Sequence, residues 1–84
     1  MNRTEIRDRL RDFIRNELLG RPDYQLQDDE PLISGGLIDS FALAQIGVFA
    51  EEAFNVYIPD TDLTVEKMDT INQMVAHVIA EDSR

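Results

Sequence analysis

The sequence predicts a small all-α bundle of three long helices, one short helix and a long first loop. Three observations predict it. Apolar residues recur at spacings of three and four in separate stretches, no stretch of useful length alternates apolar with polar residues, and cap or breaker residues bound the periodic stretches. Eighty-four residues suffice for one core, so residues 1–84 are expected to form a single domain. With 43% hydrophobic and 30% charged residues the composition is that of a folding chain and not a disordered one.

The first helix carries Ile6, Leu10, Phe13, Ile14 and Leu18 on one face. Asn2 or Thr4 caps its start, and Gly20 followed by Arg21-Pro22 stops it near Leu19, because glycine accepts the left-handed cap and proline disfavours continuation. From Gly20 to Asp39 no period is sustained. Pro22, Pro31, the acidic run Asp28-Asp29-Glu30 and Gly35-Gly36 mark a loop, which Leu26, Leu32, Ile33 and Leu37 are expected to anchor on the core. Asp39 is a good N-cap for a second helix starting at or beside Ser40 and running to Phe54.

That second helix has two apolar stripes. Leu43, Ile46, Gly47, Ala50 and Phe54 make a core stripe, while Phe41, Ala44 and Val48 make another that continues into Glu51 and Glu52. The second stripe reads either as burial on all sides or as a docking surface, and a chain this short has little material to bury a helix completely. Asn55-Val56-Tyr57-Ile58-Pro59 ends the helix, and Asp60 is placed to cap a short helical turn around Thr61 to Lys67. Asp69 is then expected to cap a last helix whose face is Ile71, Met74, Val75, Val78 and Ile79, with Met68 and Met74 as core filler.

Charge and composition exclude several functions. The five arginines of the first twenty residues meet four acids, a net of +1, whereas the remaining three bases face thirteen acids, a net of −10. Such a field repels phosphate backbones and anionic membranes and attracts basic protein surfaces, so the expected partners are basic proteins, with no nucleic acid and no membrane insertion. No apolar run approaches the roughly 20 residues that cross a bilayer, and the N-terminus lacks the apolar stretch of a signal peptide, so the cytoplasm is the expected compartment. A monomer is expected.

Cysteine is absent and His77 is the single histidine, which removes thiolate nucleophiles, thiolate metal sites and histidine clusters. The chain is therefore not expected to be an enzyme or to hold a metal. Asp60-Thr61-Asp62 begins like a calcium loop, but Val65 and Ile71 stand where an EF-hand needs glycine and glutamate. Ser40 is not a hydrolase nucleophile either, because Ile38 and Ala42 occupy the glycine places of the nucleophile elbow. His77, far along the chain, reads as a surface or packing residue.

Ser40 nonetheless places a hydroxyl at the end of a glycine-containing loop and the start of a helix, where unpaired backbone N–H groups and the positive end of the helix dipole are expected to converge and favour an attached or bound phosphate. Asp39 would repel that phosphate unless it caps the helix or binds a metal brought by a partner. On these grounds alone Ser40 is either a modification site or an ordinary N-cap serine.

The stretch Gly36-Leu37-Ile38-Asp39-Ser40-Phe41, with Glu51-Glu52-Ala53-Phe54-Asn55-Val56 and Ile58-Pro59-Asp60, resembles the acyl carrier protein family over nearly the whole chain. The resemblance implies an acyl-carrier-like four-helix bundle in which Ser40, beside Asp39, bears 4′-phosphopantetheine, whose thiol replaces the missing cysteine. It implies that an acyl or aminoacyl group rides there as a thioester between partner enzymes of fatty-acid, polyketide, nonribosomal or related biosynthesis. A phosphopantetheinyl transferase and a loading ligase or synthase with a basic docking surface would be the partners. Phe41, Ala44, Val48, Glu51 and Glu52 would lie on the helix presented to them. Phe41, Gln45 and the Gly-Leu-Ile-Asp-Ser lead-in depart from fatty-acid carriers, and the lead-in looks more like stand-alone carriers charged by an adenylating ligase, such as D-alanyl or aminoacyl carriers. The alternative from a different class is an unmodified acidic helical interaction module in which Ser40 is only a cap.

Overall fold

In the computed structural model, which describes residues 2–82, the three long helices form and the described residues contain no strand. Met1, Ser83 and Arg84, the ends of the expected 1–84 domain, lie outside the described residues. Helix α1 spans Arg3–Phe13 and is capped by Asn2, whose side-chain oxygen accepts from the Glu5 N–H at 2.8 Å. It continues as a π-helical turn over Ile14–Leu18, in which the Leu19 N–H reaches back to the Ile14 carbonyl at 2.8 Å. Gly20, at φ +64°, then lets the Arg21 N–H close on the Arg15 carbonyl, so the stop falls where the glycine predicts it.

Helix α2 spans Ala42–Phe54 and ends at Asn55, which takes the left-handed cap at φ 55° and ψ 40°. Helix α3 spans Ile71–Asp82 and packs on α1. The expected short helix over Thr61 to Lys67 is replaced by a 3-10 turn at Asp60–Asp62 and one further turn in which the Thr64 carbonyl accepts from Lys67 and Met68. The chain here spends its apolar side chains separately, Leu63 over Gly47 of α2 and Met68 fully buried, so no helical stripe exists to propagate a helix.

The core is one cluster of the stripes read from the sequence. Ile6, Leu10 and Ile14 of α1 and its π turn meet Leu43, Ile46, Ala50 and Phe54 of α2 and Ile71, Met74, Val75 and Val78 of α3. Beside it Phe13 stacks on Phe49 with centroids 4.3 Å apart, and Phe54 meets Phe49 edge-on at 5.6 Å.

The long loop is ordered by anchors at both levels. Leu26, Leu32 and Ile38 are buried in the core, with Ile33 and Leu37 half-buried against it. Arg11 of α1 forms an ion pair with Asp28 and donates to the Leu26 carbonyl at 3.2 Å, while the Asp28 carbonyl accepts from Asn72 of α3 at 3.0 Å. Asp69 does not cap α3, contrary to the sequence reading. Thr70 does, because its hydroxyl accepts from the Gln73 N–H at 3.1 Å while the Gln73 side-chain oxygen accepts from the Thr70 N–H at 3.1 Å, a capping box. The Asp69 carboxylate turns instead to the loop and accepts from the Ile33 N–H at 2.8 Å, the Ser34 N–H at 3.0 Å and the Ser34 hydroxyl at 2.5 Å. Its carbonyl accepts from the Leu32 N–H at 2.7 Å.

Two predictions follow from this anchoring. Leu32→Ala removes a fully buried side chain and should cost about 2–5 kcal/mol, read as a lower urea midpoint, with a loss under 1 kcal/mol refuting the anchor. Partial burial pushes the Asp69 carboxyl up, but the hydrogen bonds from Ser34 and Ile33 outweigh it and hold the group below its ordinary value. A carboxyl lowered in the folded state stabilises fully above the unfolded pKa of about 3.9 and loses that contribution as pH falls through the lower folded value. The urea midpoint of the wild type should therefore fall more steeply below about pH 4 than that of Asp69→Asn, and parallel curves would refute the linkage.

Candidate functional site

The site is built at the junction of the long loop and α2. Gly35 is required there, because a Cβ on it would lie 2.2 Å from the Pro31 carbonyl oxygen, and Gly36 adopts φ +83°. The tight turn they make brings Leu37 and Ile38 N–H groups onto one acceptor, the Leu32 carbonyl, at 2.9 and 3.0 Å. Ile38 inserts into the core and leaves Asp39 and Ser40 on the surface.

Asp39 caps the turn that leads into α2, while the helix itself begins at Ala42 after the N-cap position Phe41, two residues later than the start at or beside Ser40 that the sequence predicts. Its Oδ1 accepts from the Ala42 N–H at 3.2 Å, across a lead-in turn over Ser40 and Phe41 that precedes the regular helix. The carboxylate is thereby engaged with the helix terminus. The backbone N–H groups of the first turn of α2 are not free donors, in contrast to the sequence reading. Those of Ala42, Leu43 and Ala44 bond to the carbonyls of Asp39, Ser40 and Phe41 at 3.1 to 3.3 Å. An attached phosphate at Ser40 would thus sit near the positive helix end without those three amides as donors.

The second stripe of α2 is exposed, which excludes burial of that helix on all sides. Phe41 is 84% exposed and Val48 56% exposed, and Ala44, Glu51 and Glu52 are also exposed. No lysine or arginine lies on α2 to neutralise the two glutamates. Grooves flank the stripe. One of about 340 Å³ is lined by Ala44, Val48 and Glu52 together with the stacked Phe13 and Phe49, and one of about 210 Å³ runs past Val48 to Tyr57 and Leu63.

Tyr57, 64% exposed, belongs to this surface and was not singled out by periodicity. Its signal was the local alternation of buried Val56, exposed Tyr57 and buried Ile58 in the extended segment after Asn55. Leu18 of the π turn lines a dimple with Leu37, Ile38, Asp39 and Ala42, next to the serine in the chain. His77 lies elsewhere, on α3, with Nδ1 4.0 Å from Asp62. No helix among the described residues is long and apolar enough to cross a membrane.

Comparison with known proteins points to one family. The family described as "Phosphopantetheine attachment site" matches residues 8–78. The D-alanyl carrier protein of Lactobacillus acidophilus is 37% identical over 65 residues, covering 77% of this chain and 81% of that protein. That of Lactobacillus helveticus is 35% identical over the same shares. No solved structure gives a significant match. The residues present fit a covalently attached prosthetic arm, since attachment needs a serine hydroxyl that a partner enzyme can reach and Ser40 is exposed, with the neighbouring carboxylate turned onto the Ala42 N–H. The family match over residues 8–78 and the extent of the likeness to carrier proteins together show that this chain belongs to the acyl carrier protein family, whose prosthetic group is covalent 4′-phosphopantetheine.

Proposed function

We propose that Ser40 is the attachment point and that the single domain over residues 1–84 carries an aminoacyl group, of the kind the D-alanyl carrier relatives are named for, between a loading ligase and an acceptor reaction. The observation that carries this reading is the exposed Ser40 hydroxyl at the head of α2 beside a carboxylate engaged as a cap. Ser40 Oγ would take the phosphopantetheinyl group from coenzyme A by forming an Oγ–P bond, while the P–O bond to the adenosine bisphosphate breaks and the hydroxyl proton passes to a base of the transferase. When attached, the arm supplies the thiol that this cysteine-free chain lacks and holds the cargo as a thioester. The reading implies the cytoplasm, where coenzyme A is available, and a monomeric carrier.

Asp39 holds the first turn of α2 and so fixes the direction in which Ser40 points. Phe41, Ala44, Val48, Glu51 and Glu52 would meet the phosphopantetheinyl transferase and the ligase, the apolar residues by burial and the glutamates by steering a basic surface. The exposed apolar stripe is also what an unmodified interaction module would show, so modification is the deciding observation.

Incubation with coenzyme A, Mg²⁺ and a broad-specificity phosphopantetheinyl transferase should add one phosphopantetheine to the wild type in an intact-mass spectrum. Ser40→Ala should gain none while keeping its helical circular dichroism. A folded wild type that gains no mass with several transferases would favour the interaction module instead. Replacing Glu51 and Glu52 by Lys should slow loading by about tenfold at low salt, with the difference shrinking as salt rises. Loading rates that stay equal at all ionic strengths would remove this surface from the partner interface.

A further inference from the structure

We infer that Asp69 is a positioning residue for the attachment serine, holding the loop that presents Ser40 so that a bound transferase meets the hydroxyl in register. The inference rests on Ser40 as the attachment point. Asp69 stands at the entry to α3, on a different part of the chain from Ser40, yet every partner of its carboxylate lies in the loop: the Ile33 N–H, the Ser34 N–H and the Ser34 hydroxyl. Its carbonyl takes the Leu32 N–H as well.

From this clamp hydrogen bonds lead as far as Ile38, and the burial of Ile38 and the bond of Asp39 carry the path on to the serine. The Ile33 carbonyl accepts from the Gly36 N–H at 3.1 Å, and the Leu32 carbonyl accepts from Leu37 and Ile38. Ile38 is then held in the core, and Asp39 is held on the Ala42 N–H at 3.2 Å. The glycine turn has no side chains of its own to fix it, so the clamp on Leu32, Ile33 and Ser34 sets where Leu37 to Ser40 emerge. Asp69→Ala keeps the main-chain bond to Leu32 but frees Ile33 and Ser34, the residues that lead into the glycine turn.

The carboxylate is not needed to start α3. Thr70 and Gln73 form the capping box there, and Ile71, Met74, Val75 and Val78 hold the helix by burial. This separates a positioning role from a structural one, and so does the choice of replacement. Asparagine keeps one oxygen for the two backbone donors and can donate to the Ser34 hydroxyl, whereas alanine leaves all three loop groups without the acceptor.

The test measures initial rates of phosphopantetheine transfer by intact mass, over a range of carrier concentrations, for the wild type, Asp69→Ala, Asp69→Asn and Ser40→Ala. A variant that merely lowers the folded fraction raises the apparent KM and leaves kcat unchanged, because saturating carrier restores the bound complex. A misplaced serine within the bound complex lowers kcat. The expected result is a fall in kcat of about tenfold for Asp69→Ala with KM within about twofold, and recovery of most of kcat in Asp69→Asn. Should Asp69→Ala fail to fold, Ser34→Ala replaces it, with a fall in kcat of about threefold for the loss of one hydrogen bond. A kcat equal to that of the wild type in the folded variant overturns the Asp69 inference alone. Absence of any adduct on the wild type overturns the Ser40 assignment and this inference with it.

Discussion

One carboxylate and its own carbonyl, those of Asp69, satisfy four donors of the long loop, and the placement of the serine depends on them. A loop of about twenty residues in a small domain must find partners for its backbone groups without a ladder to supply them. Here the burial of Leu26, Leu32 and Ile38 supplies the driving force, and the polar contacts decide which conformation is adopted. The division matters, because apolar anchors tolerate sliding while a carboxylate with three donors does not. Fixing Leu32 to Ser34 leaves the Gly35-Gly36 turn a single way to bring Leu37 and Ile38 back onto the Leu32 carbonyl.

The charge asymmetry of the sequence has a structural counterpart. Basic residues of α1 and its π turn are engaged within the fold: Arg7 and Arg11 flank Asp28, Arg15 pairs with Asp12, and Arg9 donates to the Ala53 carbonyl at 3.2 Å beside the Phe54 ring. Partly exposed pairs of this kind contribute little stability singly. Their larger effect is on the surface they leave behind. With the arginines drawn toward the loop and the end of α2, Glu51 and Glu52 stand with no base on their own helix, so their field acts outward.

Most of the helical fold was legible because each helix carries its own stripe, and Ile6 to Ile14, Leu43 to Phe54 and Ile71 to Val78 all reached the core. The part Asp39 takes in the turn leading into α2 was legible for the same local reason. What escaped was set by contacts between distant segments. Asp69 precedes a helix and so reads as its cap, but the Thr70 and Gln73 box displaced it toward a loop that no spacing rule connects to it. The π turn at Ile14–Leu18 and the loss of a helix over Thr61 to Lys67 likewise follow from how Leu18, Leu63 and Met68 pack, which periodicity along one segment does not encode. Tyr57 was hidden by brevity, since an alternation of three residues is too short to count as a pattern.

The exposed face of α2 is best understood by asking what leaving it uncovered costs. Burying a side chain such as Phe41 or Val48 would stabilise a protein by roughly 1.5–3 kcal/mol, and this chain forgoes that at both positions and at Tyr57. A carrier that exchanges partners must release each of them, which limits how much apolar area any one interface can use. Three separated apolar side chains beside two glutamates fit that limit. Under the proposed function the charges would raise the rate of encounter without deepening the bound state, and the small apolar contacts would give it register. The rigid loop complements this arrangement under the proposed function. A short-lived complex has little time to search for the hydroxyl, so a serine already held in place by the Asp69 clamp and the Asp39 cap makes brief encounters productive.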